Sequence, residues 1–237
     1  MHSKLEIPQE IMDRVLERRG TAHIHADFNP ATTALIVVDL QNAFMVEEHA
    51  AAYVPEAVSI VPNVNKLAAA LRAAGGTVFW VRNTIDEQTR TEWSHWFDMS
   101  SHDPEKAATR QANMHWGAIG HELHPDLDYQ PSDVTVYKRR FSALIQGSSD
   151  LADKLRASGI DTVLITGTVT NVCCESTARD AMMLNYKTIM VEDANAAMTD
   201  REHHASLLSI YATFGDVFTT DELVALMHKN TALAAAE

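Results

Sequence analysis

Three residues far apart in this chain, Asp39, Lys138 and Cys173, offer a carboxylate, an ammonium and a thiol. A free thiol with a pKa near ~8.5 needs activation to act as a nucleophile at neutral pH. A neighbouring carboxylate accepts its proton, and an ammonium stabilises both anions. Cys173 lies in the stretch TGTVTNVCCESTARDA, residues 166–181, after a β-branched run and at the start of a helical pattern. At a helix N-terminus the first backbone N–H groups are unpaired and the macrodipole is positive, so the thiolate is expected to form more readily there. The same kind of N–H group, here from Thr170 and Cys173, holds the oxyanion formed when sulfur attacks a carbonyl. The chemistry this predicts is cleavage of an amide or ureide. Asp39 takes the thiol proton, returns it to the departing nitrogen, and then activates the water that frees the acyl- or carbamoyl-enzyme.

Each of the three also has a plainer use. An Asp closing a strand caps a turn, the basic run Lys138-Arg139-Arg140 reads as a solvated turn, and a lone Cys is most often a packing residue. What sets them apart is where the elements place them. Ala34–Val38 is a continuous apolar run ending at Asp39, and further strand-like runs lie at Thr77–Val81, Val134–Tyr137, Thr162–Thr166, Lys187–Val191 and Asp216–Phe218. Unbroken apolarity marks strands covered on both faces. Helical patterns fall between them, at about 58–74, 150–158, 171–184, 201–213 and 221–228, with Gly75-Gly76 and Gly159 as stops. Strands alternating with helices predict one three-layer α/β/α domain over residues 29–237, with a mostly parallel sheet of about six strands in the order 3-2-1-4-5-6. Residues 1–28 form an N-terminal helical extension, its apolar positions Ile7, Ile11, Val15 and Leu16 at helical spacing. In such sheets ligands bind beyond the carboxyl ends of the strands. Asp39, Lys138 and Cys173 each follow a strand, so all three point to that edge.

Composition narrows the partners. The 237 residues carry 19 Lys+Arg against 32 Asp+Glu, a formal charge of −13, which disfavours nucleic acid and anionic membranes. No apolar run approaches the ~20 residues of a membrane span, and the N-terminus lacks the apolar core of a signal peptide. Two adjacent cysteines make no disulfide framework, which fits a reducing cytoplasm.

Three blocks then carry a resemblance: Thr33–Asn42 (TALIVVDLQN), Lys138–Ala143 (KRRFSA) and Thr166–Cys173 (TGTVTNVC), the last extended by Glu175–Ala181 (ESTARDA). In this order they resemble the isochorismatase-like cysteine hydrolase superfamily, over roughly residues 29–227. The resemblance implies that Asp39, Lys138 and Cys173 are its Asp-Lys-Cys triad, with a cis peptide just before Thr170, and that the protein assembles as a dimer or tetramer. It also implies a small-molecule substrate and no cofactor. Metal-binding nicotinamidases have an Asp-x-His-x-x-His-type cluster after the second strand. Here that region reads RNTIDEQT with no histidine before His95, so no metal site is expected.

Within the superfamily the wording around Gln41-Asn42 and Asn171–Cys173 is most similar to ureido- and carbamoyl-cleaving members such as ureidoacrylate, biuret and triuret hydrolases. Gln41, Asn83, Arg82 and Asn171 are then candidates for holding amide or carboxylate groups, and Trp93, Trp96, Trp116 and Phe141 for covering the pocket. Cys174 reads as an apolar filler and Arg179 as a structural ion-pair residue. Two alternatives share the fold. One is an isochorismatase or maleamate-type hydrolase, and the other is a binding protein that has lost turnover.

Overall fold

The computed structural model describes residues 1–100 and 102–234; residues 235–237, where the expected domain ends, lie outside the described residues. Helix α1 (Gln9–Arg19) precedes strand β1 (Thr33–Val38), short helix α2 (Asn42–Met45), helix α3 (Val61–Ala73) and β2 (Thr77–Asn83). Helices α4 (Glu87–Glu92), α5 (Ser94–Ser100) and α6 (Pro104–Asn113) come next. Then follow β3 (Val134–Lys138), α7 (Leu151–Ala157), β4 (Thr162–Thr168), α8 (Glu175–Met183), β5 (Lys187–Ala196), α9 (Asp200–Ser209), β6 (Asp216–Phe218) and α10 (Thr220–Ala234).

The six strands lie in the order β3-β2-β1-β4-β5-β6, as the sequence predicts, and every neighbouring pair is parallel. Side-chain alternation splits β1 between two cores. Leu35 and Val37 pack with α3 and α10, whereas Ala34, Ile36 and Val38 pack with α7, α8 and α9. Both faces are therefore covered, which is why these strands read as continuous apolar runs. At Gly167 (φ 115°) β4 shifts register and runs so close to β1 that a Cβ would stand 2.0 Å from the Val38 carbonyl oxygen. Only glycine fits there.

Helix α1 is covered by the chain itself. Val15 is buried in the second core, with Ile7, Ile11 and Met12 packed against it. Arg19 donates to the Tyr211 and Gly215 carbonyls and pairs with buried Asp216 at 3.1 Å. Of the apolar positions Ile7, Ile11, Val15 and Leu16, the first three thus pack within the chain, whereas Leu16 is 41% exposed. No helix among the described residues is long and apolar enough to cross a membrane.

Candidate active site

Strand register brings the site together. Val38 pairs with Val81 on one side and Gly167 on the other, and Asn83 pairs with Lys138. The residue after β1, the last residue of β3 and the turn after β4 therefore share one edge of the sheet. Asp39 continues the ladder by donating its N–H to the Val81 carbonyl at 2.9 Å, then turns the chain away with φ 55°. A non-glycine residue with positive φ is uncommon, Asp being one of the tolerant types, and such strain gathers at functional sites.

Lys138 Nζ lies 2.8 Å from Asp39 Oδ2 and donates to Cys173 Sγ at 3.5 Å and to the Arg140 carbonyl at 3.0 Å. Lys138 is fully buried, so it is no solvated turn residue. Burial pushes the Asp39 carboxyl above its ordinary range, although Lys138 opposes it. Burial acts to discharge Lys138, yet the charges of Asp39 and Cys173 prevail and hold its ammonium above the usual value. The Cys173 thiol is pushed up to about 12, chiefly by burial, with Lys138 opposing and Asp39 adding to the rise. This corrects the expectation from the helix N-terminus. Cys173 sits in a wide π-type turn, Thr170–Cys174, ahead of α8, and its complete burial raises the thiol. The resting thiol keeps its proton.

Cys173 is 3% exposed and is the one member of the trio on the wall of a cavity of about 320 Å³. Asp39 and Lys138 sit behind it. Trp93, Trp96 and Phe141 form an aromatic cluster on the same wall: Trp93 stacks on Trp96 at 4.7 Å, and Phe141 meets Trp93 edge-on at 4.8 Å. Arg139 forks onto Asp86 Oδ2 at 2.8 and 2.9 Å, while Asp86 Oδ1 caps α4 through the Thr89 N–H, so the helix that leads to Trp93 is anchored at the end of β3. Against burial, Arg139 and Thr89 hold the Asp86 carboxyl well below the usual range.

Asn83 and Asn171 line the cavity as expected, and Asn171 Oδ1 is buried without a protein partner. Gln41 and Trp116 do not line it. Gln41 is fully buried, its Nε2 donating to the Asn83 and His121 carbonyls and its Oε1 accepting the Asn83 N–H, so it knits the end of β1 to the end of β2. Trp116 is 42% exposed and packs on Tyr137 and His121. Arg82 donates to the His121 carbonyl and pairs with Glu122, outside the cavity. The cis peptide precedes Val169, between Thr168 and Val169, one residue earlier than expected. Val169 faces the cavity, whereas buried Thr170 shares a hydrogen bond with His203 at 2.9 Å. Cys174 is buried and Arg179 pairs with Glu175, both as the sequence suggests. Sequence reasoning missed Ile85, Met114, Arg110 and Glu202 on the cavity wall; nothing in their local pattern distinguishes them from other helix and loop positions.

The model of the isochorismatase domain matches residues 33–222. The chain belongs to the isochorismatase family. Among its relatives, the ureidoacrylate amidohydrolase RutB of Caulobacter vibrioides (strain ATCC 19089 / CIP 103742 / CB 15) is 34% identical over 206 residues, covering 81% of this chain and 89% of the relative. A solved cysteine hydrolase from Pseudomonas syringae pv. phaseolicola superposes with a TM-score of 0.73 at 31% identity, over 86% of this chain and 96% of that one. An N-carbamoylsarcosine amidase from Thermoplasma acidophilum superposes with a TM-score of 0.61 at 28% identity, over 80% of this chain and 97% of that one.

Proposed function

We propose that the protein is a metal-independent cysteine amidohydrolase that cleaves a C–N bond of a small ureido, carbamoyl or amide compound. The observation that carries this reading is the contact of Lys138 Nζ with both Asp39 Oδ2 and Cys173 Sγ, with only the sulfur facing the cavity. A substrate entering the cavity displaces water and brings its carbonyl to Sγ. Asp39 accepts the thiol proton as the S–C bond forms, and Lys138 compensates the charge throughout. The oxyanion is assigned to the amides of the Val169–Cys173 turn, Val172 excepted, because that N–H already donates to the Val169 carbonyl, as does the N–H of Cys174. Asp39 then passes its proton to the leaving nitrogen and the C–N bond breaks, leaving a thioester-type acyl- or carbamoyl-enzyme. Asp39 next deprotonates the attacking water, sulfur departs, and the thiol is restored. Asn171 Oδ1, buried and unpartnered, is the acceptor we assign to the substrate's amide N–H. The thiol must stay reduced for this chemistry, which suits the cytoplasm.

The amidohydrolase and amidase relatives support the C–N bond class. The test is ammonia release from ureido acids, biuret, triuret, nicotinamide and maleamate, by the wild type and by Cys173→Ala. Ammonia from one of these, lost by three orders of magnitude or more on substitution, is the expected result. Release that survives Cys173→Ala would overturn the mechanism.

A further inference from the structure

Two ionisable side chains besides Cys173 line the cavity: Arg110 on α6 and Glu202 on α9. Arg110 is therefore the one cation on that wall among the described residues. Three arginines nearby are engaged with carboxylates: Arg82 with Glu122, Arg139 with Asp86, and Arg140 with Glu92. Lys138 is neutralised by Asp39. Arg110 is held by neutral acceptors instead. Its Nε donates to the Ala51 carbonyl at 3.2 Å, its Nη1 reaches the Ser100 carbonyl at 3.5 Å, and its guanidinium carbon lies 5.8 Å from the centre of the Trp96 ring. These contacts fix the guanidinium while its Nη2 makes no hydrogen bond to the described residues. The half-buried charge sits in a largely apolar wall and, among the described residues, forms no ion pair with a carboxylate. The free Nη2 N–H groups, held in place by those contacts, are suited to a carboxylate oxygen, which they bind through charge-assisted hydrogen bonds.

We infer that Arg110 is the specificity-determining residue for a carboxylate on the substrate, so that the substrate is a small ureido or carbamoyl acid with an apolar linker between its two polar ends. The inference rests on the proposed hydrolysis for the end that meets Cys173. The linker follows from the wall: Ile85, Met114, Phe44 and Val172 offer it no side-chain hydrogen-bonding partner. Long-range electrostatics point the same way. A chain with a formal charge of −13 repels anions, so an anionic substrate needs a countercharge inside a screening length of ~8 Å. Glu202, tied through Oε2 to the Thr199 hydroxyl at 2.8 Å, repels a carboxylate from its own side of the cavity and favours the orientation with the acid at Arg110.

The experiment is calorimetric titration of the Cys173→Ala protein, in which binding is read without turnover. The probes are ureidoacetate, 3-ureidopropanoate and 4-ureidobutanoate, each against its neutral carboxamide. At least one acid is expected to bind roughly ten- to a hundredfold tighter than its carboxamide. Adding Arg110→Met should abolish that preference by weakening the acid far more than the carboxamide, and Arg110→Lys should restore part of it. A merely structural Arg110 would weaken acid and carboxamide alike, and that result overturns the inference, as does equal or absent binding of every acid. Ammonia release from the same compounds by the protein with Cys173 intact is read separately. Arg110-dependent binding without release would refute the hydrolysis and keep the carboxylate site; release from carboxamides alone would do the reverse.

Discussion

Asp39 and Lys138 form an ion pair sealed from solvent, Nζ to Oδ2 at 2.8 Å with neither side chain exposed. Each charge is tolerable only because the other is there. Substituting Lys138→Met strands a buried carboxylate, and Asp39→Asn strands a buried ammonium. Either single change should cost about 3–5 kcal/mol of stability, and the double substitution less than the sum of the two. Urea unfolding monitored by circular dichroism measures this. Additive losses would mean that the two groups are energetically independent despite their contact.

A second prediction concerns the glycine that lets β4 pass β1. Because a Cβ on Gly167 would meet main chain, at 2.0 Å from the Val38 carbonyl oxygen and with φ at 115°, no side-chain rotation relieves the clash. Gly167→Ala should destabilise by about 4 kcal/mol or more and, since Val38 leads directly into Asp39, reduce activity in whatever fraction folds. A urea midpoint within error of the wild type would contradict this.

Much of this architecture was legible from the chain. The strands are covered on both faces, so Ala34–Val38 and Thr162–Thr166 appear as uninterrupted apolar runs, and the alternation with helices sets the parallel order. Asp39, Lys138 and Cys173 could be placed on one edge because each follows a strand. Less could be read where a polar side chain chooses between main chain and ligand. Gln41 and Asn83 are both buried amides at strand ends, yet Gln41 is consumed by the Asn83 and His121 main chain while Asn83 faces the cavity. Trp116 and Trp96 are both aromatic residues of one irregular stretch, and only the path of α4–α6 decides which reaches the site. Arg110 gave no sign because its place on the cavity wall, with no ion pair to the described residues, is a property of three dimensions. The direction of the Cys173 shift was hidden for a similar reason: helix-end position is visible in sequence, but complete burial beside a carboxylate is not.

Acid sensitivity follows from two buried histidines. Burial, then the charge of Arg82, lowers His121 to about 4, and burial with His2 and His204 lowers His203 to about 3. Both are neutral in the fold, whereas in the unfolded chain they take up a proton near pH ~6.5. Between those values the unfolded state binds more protons, so stability falls as the pH drops below ~6.5. The slope is about 1.4 kcal/mol per pH unit for each histidine, until the folded values are passed. Urea midpoints from pH 7.5 to 5 should show the decline, and His203→Asn should make it shallower. A midpoint that stays flat over this range would mean that both rings are already protonated in the folded protein.

The proton on Cys173 makes the last prediction, one that separates nucleophile reactivity from catalysis. With the thiol pushed up to about 12, iodoacetamide should label Cys173 slowly at neutral pH, and the rate should climb about tenfold per pH unit through pH ~10 without a plateau. Asp39 contributes to that high value by its negative charge, while Lys138 works against it. Removing the carboxylate with Asp39→Asn leaves sulfur facing an unopposed ammonium, so labelling at pH 7 should quicken. Turnover in the same variant should nearly vanish, because nothing is left to carry the proton from sulfur to the departing nitrogen. Mass spectrometry of labelled protein and an ammonia assay read the two effects on one preparation. If labelling and turnover fall together in Asp39→Asn, then Asp39 activates sulfur in the resting enzyme, and the transfer of its proton only on substrate attack is wrong.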